Sequence, residues 1–407
     1  MASITLERVP ETRSQWLAAC RKNGILDPKS DSIHDRSVVL KPGSQVGNGQ
    51  FFLLRVICLR PKKPFLNNVS LSNEIVPNEY LSDAREALTK SPSFQACLEW
   101  LKTPDLSLAT PQSQRMGAFV LLFQSQRYTR GLDSADSSKV EFSPISSRIR
   151  SKVQPKLESR PKTPSTPTPL RSDRTNHTVG SSSVDMSDMD VDMEDENFSS
   201  PVFTNSPLTG EEARQANCIK NEQEVVFCLL TLLRAVCILV PETECAMWKA
   251  DQVEYTLDDT GGEKIFSAKT DINLEYGHKK GCQVIGETKK ALRYAENDGG
   301  APVKAQEACQ MTGWAFKEPP SDRKLKQMRE EKSTAQLIFL SQGKDELYVN
   351  SGTYGADWLD YIRGEQSAAL DFLRIQEYGP YELRNPKHFE EIGTIVLAIA
   401  MWKSKKE

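Results

Sequence analysis

Residues 271–289, "DINLEYGHKKGCQVIGETK", hold two strand-like stretches separated by the polar run "GHKKG". Two glycines flanking a short polar turn between such stretches predict a β-hairpin. With the turn centred on Lys279, Asp271 falls opposite Glu287. Side chains directly across an antiparallel pair lie about 5 Å apart and share a face. Lys289 follows Glu287 by two residues, and a strand has period two, so it points to that same face. Two acids and an amine, distant in sequence, are thereby expected to converge.

Like charges held this close repel, and the arrangement is tolerable with a divalent cation between them. Carboxylate oxygens, a backbone carbonyl and waters suit Mg²⁺ (or Mn²⁺), which takes few protein ligands. The carbonyl of Thr288, between the two functional side chains, is the candidate third ligand. A divalent ion acidifies the water it binds, and Lys289 is placed to orient that water and to stabilise negative charge on a phosphate oxygen. This is chemistry for phosphodiester hydrolysis. The plainer reading of an Asp, a Glu and a Lys at a hairpin is a solvated charged face or a cross-strand salt bridge. The run "QVIG" before Glu287 reads as buried strand and sets the acid at the edge of a core.

Around the hairpin, residues 208–407 read as one α/β unit. "NEQEVVFCLLTLLRAVCILV" (221–240) predicts a helix ended by Pro241. "AMWKADQVEYTLD" (246–258) alternates as a strand, and "KIFSAKTDINLEYG" and "GCQVIGETKKAL" follow as two more. A helix opens at Pro302 with "PVKAQEACQMTGWAF". "AQLIFLSQ" and "DELYVNSGTY" are strands, and a last helix covers about 386–402. The order α-β-β-β-α-β-β-α predicts a central mixed sheet flanked by helices. "DRKLKQMREEK" (322–332) reads as an exposed helix or loop.

An acid and an E-x-K on the second and third strands, between two helices, resemble the PD-(D/E)XK nuclease superfamily, whose fold is restriction-endonuclease-like with an α-β-β-β-α-β core. The likeness is closer to the PD-(D/E)XK nuclease-like domain found in many fungal proteins. It rests on "NEQEVVFCLLTLLRA", "VIGETK", "AQEACQMTGWA", "EYGPYEL" (377–383) and "IGTIVLAIAMW", and spans residues 208–407. The resemblance implies that Asp271 and Glu287 are metal ligands and Lys289 the catalytic lysine. It implies an additional acid, Glu222, at the start of the first helix. It also places Gln306 and Gln310, one helical turn apart, beside the active centre; their plainer reading is a polar stripe facing solvent. Thr270 stands where the family's name has proline.

The rest of the chain adds boundaries. A hydrophobic fraction of 38% and a mean hydropathy of −0.50 indicate a folded part diluted by polar sequence. Residues 131–207 are rich in Ser, Pro and Thr and read as a disordered linker. Ser143, Thr163, Thr166, Thr168, Ser200 and Ser206 each precede proline and are candidate phosphorylation sites. Residues 1–130 read as a small α/β region, either an independent domain or a layer on the C-terminal one. "GQFFLLRVICLR" (49–60) and "MGAFVLLFQSQRY" (116–128) are expected strands, with broken helix at Pro92 between them. This region carries no chemical constellation, though it could hold a protein partner.

A net charge of −3 gives no global attraction to nucleic acid, so any phosphate binding must be local. His278, Lys279 and Lys280, with Lys289, Lys290 and Arg293, are candidates for a basic patch, although a Lys-rich turn is more often simply a soluble one. Nine scattered cysteines without a CxxC pair read as reduced thiols of an intracellular protein, nuclear or cytoplasmic. No zinc cluster, signal peptide or membrane span is expected. Two functions follow. The first is a Mg²⁺-dependent nuclease acting on DNA. The second is a binding or scaffold module that keeps the fold without turnover and is regulated through the linker.

Overall fold

The hairpin is built as expected, within a larger sheet than the sequence suggests. The structure is a computed structural model and describes residues 8–25, 27, 31–34, 41–63, 74–103, 113–130, 210–259, 261–279, 281–294, 300–365 and 369–405. The expected linker, 131–207, lies outside the described residues. Among the described residues, those up to 130 and from 214 onward form one compact unit, while 210–213 belong to a second unit covering 143–213.

The strands are β1 (Val56–Cys58), β2 (Ala246–Lys249), β3 (Glu254–Asp258), β4 (Lys264–Lys269), β5 (Ile272–Tyr276), β6 (Val284–Lys289), β7 (Ala335–Gly343), β8 (Glu346–Tyr354) and β9 (Leu373–Glu382). The helices are α1 (Arg13–Lys22), α2 (Asn48–Leu53), α3 (Asn78–Lys90), α4 (Pro92–Leu101), α5 (Ser113–Met116), α6 (Phe119–Arg130), α7 (Gly210–Cys237), α8 (Ala301–Lys317), α9 (Asp322–Glu331), α10 (Ala356–Ile362) and α11 (Pro386–Ser404). Seven strands form one mixed sheet in the order β1-β9-β8-β7-β6-β5-β2, and β3 and β4 form a separate ribbon. The β1–β9 and β6–β7 pairs are parallel; the other pairs are antiparallel. A parallel pair needs a crossover, and α8 with α9 makes it between β6 and β7.

Strand alternation divides the sheet's two faces. Ile272, Leu274, Val284, Ile338, Leu340 and Val349 enter one core with side chains of α3, α4, α6, α7 and α11. Ile285, Leu337, Phe339, Leu373 and Ile375 enter the other with side chains of α1, α2, α8 and α10. In α7 the buried Val225, Cys228, Leu229, Leu232, Leu233 and Val236 recur every three or four residues, which is the stripe of a helix laid on a sheet. Gly286 is fixed by proximity: a Cβ there would stand 2.6 Å from the Leu340 carbonyl oxygen and 2.8 Å from Ile272 Cγ1.

Several expectations fail for physical reasons. The single strand expected over 246–258 is two, β2 and β3, in different sheets. The strand expected over 264–277 is also two. Thr270 N–H donates to the Val253 carbonyl (3.1 Å), and Asp271 N–H donates to the Gly286 carbonyl (3.0 Å). The chain therefore changes sheets between consecutive residues. The expected strand at 116–128 is helical, α5 and α6. Its buried Phe119, Val120, Leu122 and Phe123 leave Leu121 exposed, a helical pattern that a short apolar run conceals. Of 49–60, five residues belong to α2 and only three are strand. That strand, β1, pairs with β9 and extends the sheet, while α3, α4 and α6 pack on one of its faces and α1 and α2 on the other, so the described part of residues 1–130 is a layer on the C-terminal part that also adds a strand to it. The break at Pro92 separates α3 from α4 as expected, with the Ser91 hydroxyl capping α4 at Phe94 N–H.

Candidate active site

The β5–β6 register is centred on Lys279, with Ile272 opposite Gly286, Asn273 opposite Ile285 and Leu274 opposite Val284. This ladder ends where the site begins. Thr288 N–H lies beyond the end of β5 and donates instead to Asp271 Oδ2 at 2.8 Å, joined by the Thr288 hydroxyl at 2.9 Å. Asp271 thus reaches into the plane of the sheet and takes the bond a further strand residue would have taken. The Thr288 carbonyl shares the side of β6 with its own N–H.

Glu287 and Lys289 alternate with Thr288 and face α8. Glu287 is 3% exposed. Its Oε1 accepts from Gln306 Nε2 (2.5 Å) and from the Lys289 ammonium, and its Oε2 accepts from Gln310 Nε2 (2.6 Å). Gln310 Nε2 also reaches the Lys269 carbonyl at 2.5 Å. Lys289 Nζ lies 3.7 Å from Glu222 Oε1 on α7. Asp271, Thr288, Glu287, Lys289, Glu222, Gln306 and Gln310 therefore occupy one neighbourhood. Gln310 is fully buried, so the two glutamines are not a solvent-facing stripe.

Three acids surround one ammonium here. Burial, then the Asp271 carboxylate, push Glu287 up to about 8 against the pull of Lys289. Burial also raises Glu222, again opposed by Lys289. Burial works to lower the Lys289 ammonium, but Glu287, Asp271 and Glu222 together outweigh it and hold it above its usual value.

The sign for stability follows. Below the ordinary carboxyl value of 4.5, Glu287 is protonated in both folded and unfolded chains. Between that value and about 8, the folded chain keeps a proton that the unfolded chain releases, so stability falls as pH rises through this window. One proton contributes at most about 1.4 kcal/mol per pH unit. Glu287→Gln cannot titrate and is expected to flatten this decline in chelator-treated protein. Urea unfolding at several pH values between 5 and 8 measures it, and an unchanged slope would assign the proton elsewhere.

The donor set fits a hard divalent ion in kind: Asp271, Glu287 and the Thr288 carbonyl are all oxygens. Among the described residues no group of three or more His, Cys, Asp or Glu is arranged to hold a metal, so Glu222 does not stand as a third carboxylate ligand beside the other two.

The candidate basic patch is not assembled among the described residues. The tip of the hairpin, His278 and Lys279, stands at the far end of β5, about 15 Å of strand away from Asp271. Lys280 lies outside the described residues. Arg293 is buried and committed to ion pairs with Glu307 and Glu377. That cluster was not expected. Its signal in the sequence is slight: Glu307 lies between Gln306 and Gln310, and Glu377 opens "EYGPYEL".

Compared with known proteins, the chain matches no family model, no curated protein and no solved structure. Among the described residues no helix is long and apolar enough to cross a membrane.

Proposed function

We propose that this chain hydrolyses phosphodiester bonds in nucleic acid, DNA rather than RNA, at a PD-(D/E)XK-type site that takes Mg²⁺ (or Mn²⁺). The observation that carries this reading is the meeting of Asp271, Glu287 and Lys289 at the end of one hairpin, with Gln306 and Gln310 holding Glu287. Asp271, Glu287 and the Thr288 carbonyl would hold the ion, which supplies Lewis acidity toward a phosphate oxygen. The chain's own residues do the rest. Lys289, kept cationic by its acidic neighbours, donates to the phosphate oxygen on which charge develops. The two glutamine amides fix the carboxylate plane of Glu287. Asp271 is fixed by Thr288 and is half-buried.

A second reading, a binding or scaffold module of the same fold, is favoured by one observation. Both oxygens of Glu287 are already occupied by neighbouring donors, so the side chain is satisfied without an ion. Either protein belongs inside the cell, nuclear or cytoplasmic, on the reading of its cysteines. The test is cleavage of single- and double-stranded DNA and RNA by the full-length protein with Mg²⁺, Mn²⁺ or chelator. Metal-dependent cleavage, lost by about 10²-fold or more in Asp271→Ala with its melting transition intact, is the expected result. A folded wild type that cleaves none of these substrates would establish the second reading.

A further inference from the structure

The polar layer between α8 and the sheet continues past Glu287. Ser341 on β7 pairs with Glu287, Tyr348 on β8 pairs with Ser341, and Asn350 on β8 pairs with Glu377 on β9. Arg293, four residues beyond Lys289, lies among them. Its guanidinium donates to Glu307 on α8, to Glu377, and to Ser341 Oγ at 2.6 Å. Asn350 Nδ2 donates to the second oxygen of Glu307 at 3.2 Å. The guanidinium also stands 4.4 Å from the centre of the Tyr348 ring.

Stability alone is a poor reason for this network. Two buried carboxylates share one guanidinium, and exchanging such networks for apolar side chains often leaves a protein as stable or more so. Geometry is a better reason. Around Gln306 and Glu307 the face of α8 against the second core is built from small residues, Ala301, Ala305, Ala308 and Cys309, which by shape alone fix that end of the helix weakly; the larger Met311 and Trp314 follow only toward its C-terminal half. At 3.6 residues per turn, Gln306, Glu307 and Gln310 fall within an arc of about 100°. A rotation of α8 by one residue would turn both amides away from Glu287. Arg293 follows directly from β6, the strand that carries Glu287 and Lys289. It therefore links that strand to the helix bearing the glutamines.

We propose that Arg293 and Glu307 are positioning residues, whose ion pair fixes the rotation of α8 so that Gln306 and Gln310 hold both oxygens of Glu287. The inference rests on Glu287 belonging to the working site, but its test does not need a metal. Glu377 grips Arg293 from β9 and, among the described residues, makes no hydrogen bond or ion pair to α8, so the two acids of one network are expected to behave differently. Removing Glu307 leaves Arg293 with a single carboxylate partner, a balanced pair that preserves the fold while releasing the helix.

The experiment follows the side-chain amide resonances of Gln306 and Gln310 in full-length, metal-free protein labelled with ¹⁵N-glutamine. They are assigned through Gln306→Asn and Gln310→Asn. Glu307→Ala is expected to move both resonances toward their positions in the Glu287→Gln variant, while Glu377→Gln leaves both within a linewidth of wild type. Equal displacement by the two acid variants, or none by Glu307→Ala, would overturn the proposal. Should Glu307→Ala not fold, Arg293→Lys serves in its place, because an ammonium keeps the charge but loses the fork that spans both acids; unmoved amides there would likewise overturn it. Mn²⁺ titration of the wild type, read by electron paramagnetic resonance, reports separately on the metal site. Absence of Mn²⁺ binding with the amides displaced in Glu307→Ala would remove the metal reading and leave the positioning role standing.

Discussion

Replacing Lys289 by methionine is expected to lower cleavage by on the order of 10²–10³-fold while tightening the binding of a divalent ion. The two effects have one origin. The Lys289 ammonium contacts Glu287 and lies near Glu222, so it is the positive charge that offsets a cluster of acids. Methionine fills a similar volume and removes that charge. The acids then repel one another more strongly, and an added Mn²⁺ relieves more repulsion than it does in the wild type. On the proposed function, the phosphate would meanwhile lose the donor facing the oxygen on which charge develops. Cleavage at saturating Mg²⁺ and Mn²⁺ affinity, measured side by side, test this opposition. A variant that loses activity and metal affinity together, with a lowered melting temperature, would show that Lys289 serves the fold and not the chemistry.

A chain shortened to residues 208–407 is expected not to fold, although it contains every residue of the candidate site. It lacks β1, whose backbone continues the sheet: Leu373 N–H donates to the Arg55 carbonyl at 3.0 Å and Leu59 N–H to the Ile375 carbonyl at 2.8 Å. It also lacks about a third of the buried side chains of each core. Trp16, Phe51, Phe94, Phe119 and Leu122 are each at most 1% exposed. Burying such a side chain contributes roughly 1.5–3 kcal/mol. Those five alone approach the net stability of a typical domain, roughly 5–15 kcal/mol. Specific bonds are lost as well. Trp358 Nε1–H donates to the Leu54 carbonyl at 3.0 Å, and Tyr361 donates to the Leu53 carbonyl at 2.7 Å. Co-expression of residues 1–142 as a separate chain is expected to restore solubility. Soluble 208–407 with a cooperative urea transition on its own would contradict this account.

What the sequence discloses about this fold is what its neighbours in sequence decide. The β5–β6 register follows from a turn and an alternation contained in nineteen residues, and the structure reproduces it about Lys279. The division at Thr270 is hidden, because both sides of it read as strand and only the distant partners, Val253 and Gly286, reveal two sheets. β9 is interrupted by Gly379 and Pro380, residues that argue against a strand when read locally. Within the site, the shared face of Glu287 and Lys289 is legible from register, whereas Asp271, expected on that face, turns into the plane of the sheet toward Thr288. Glu222, Gln306 and Gln310 are legible only through resemblance, since a helix and a hairpin far apart in sequence must first be packed together. The pairing of Arg293 with Glu307 and Glu377 leaves only a slight signal in the sequence. A charged side chain is read as surface unless its partners are known, and these partners come from three separate elements.

The pairing of Val56 with Leu373 also sets a schedule. Synthesis proceeds at about 5–20 residues per second, so the first edge of the sheet waits roughly a quarter of a minute to a minute for its neighbour to be made. During that interval Phe51, Phe52, Val56 and Ile57 have none of the later core to cover them. Newly emerging chains therefore leave these side chains uncovered for that interval, and slow translation lengthens it.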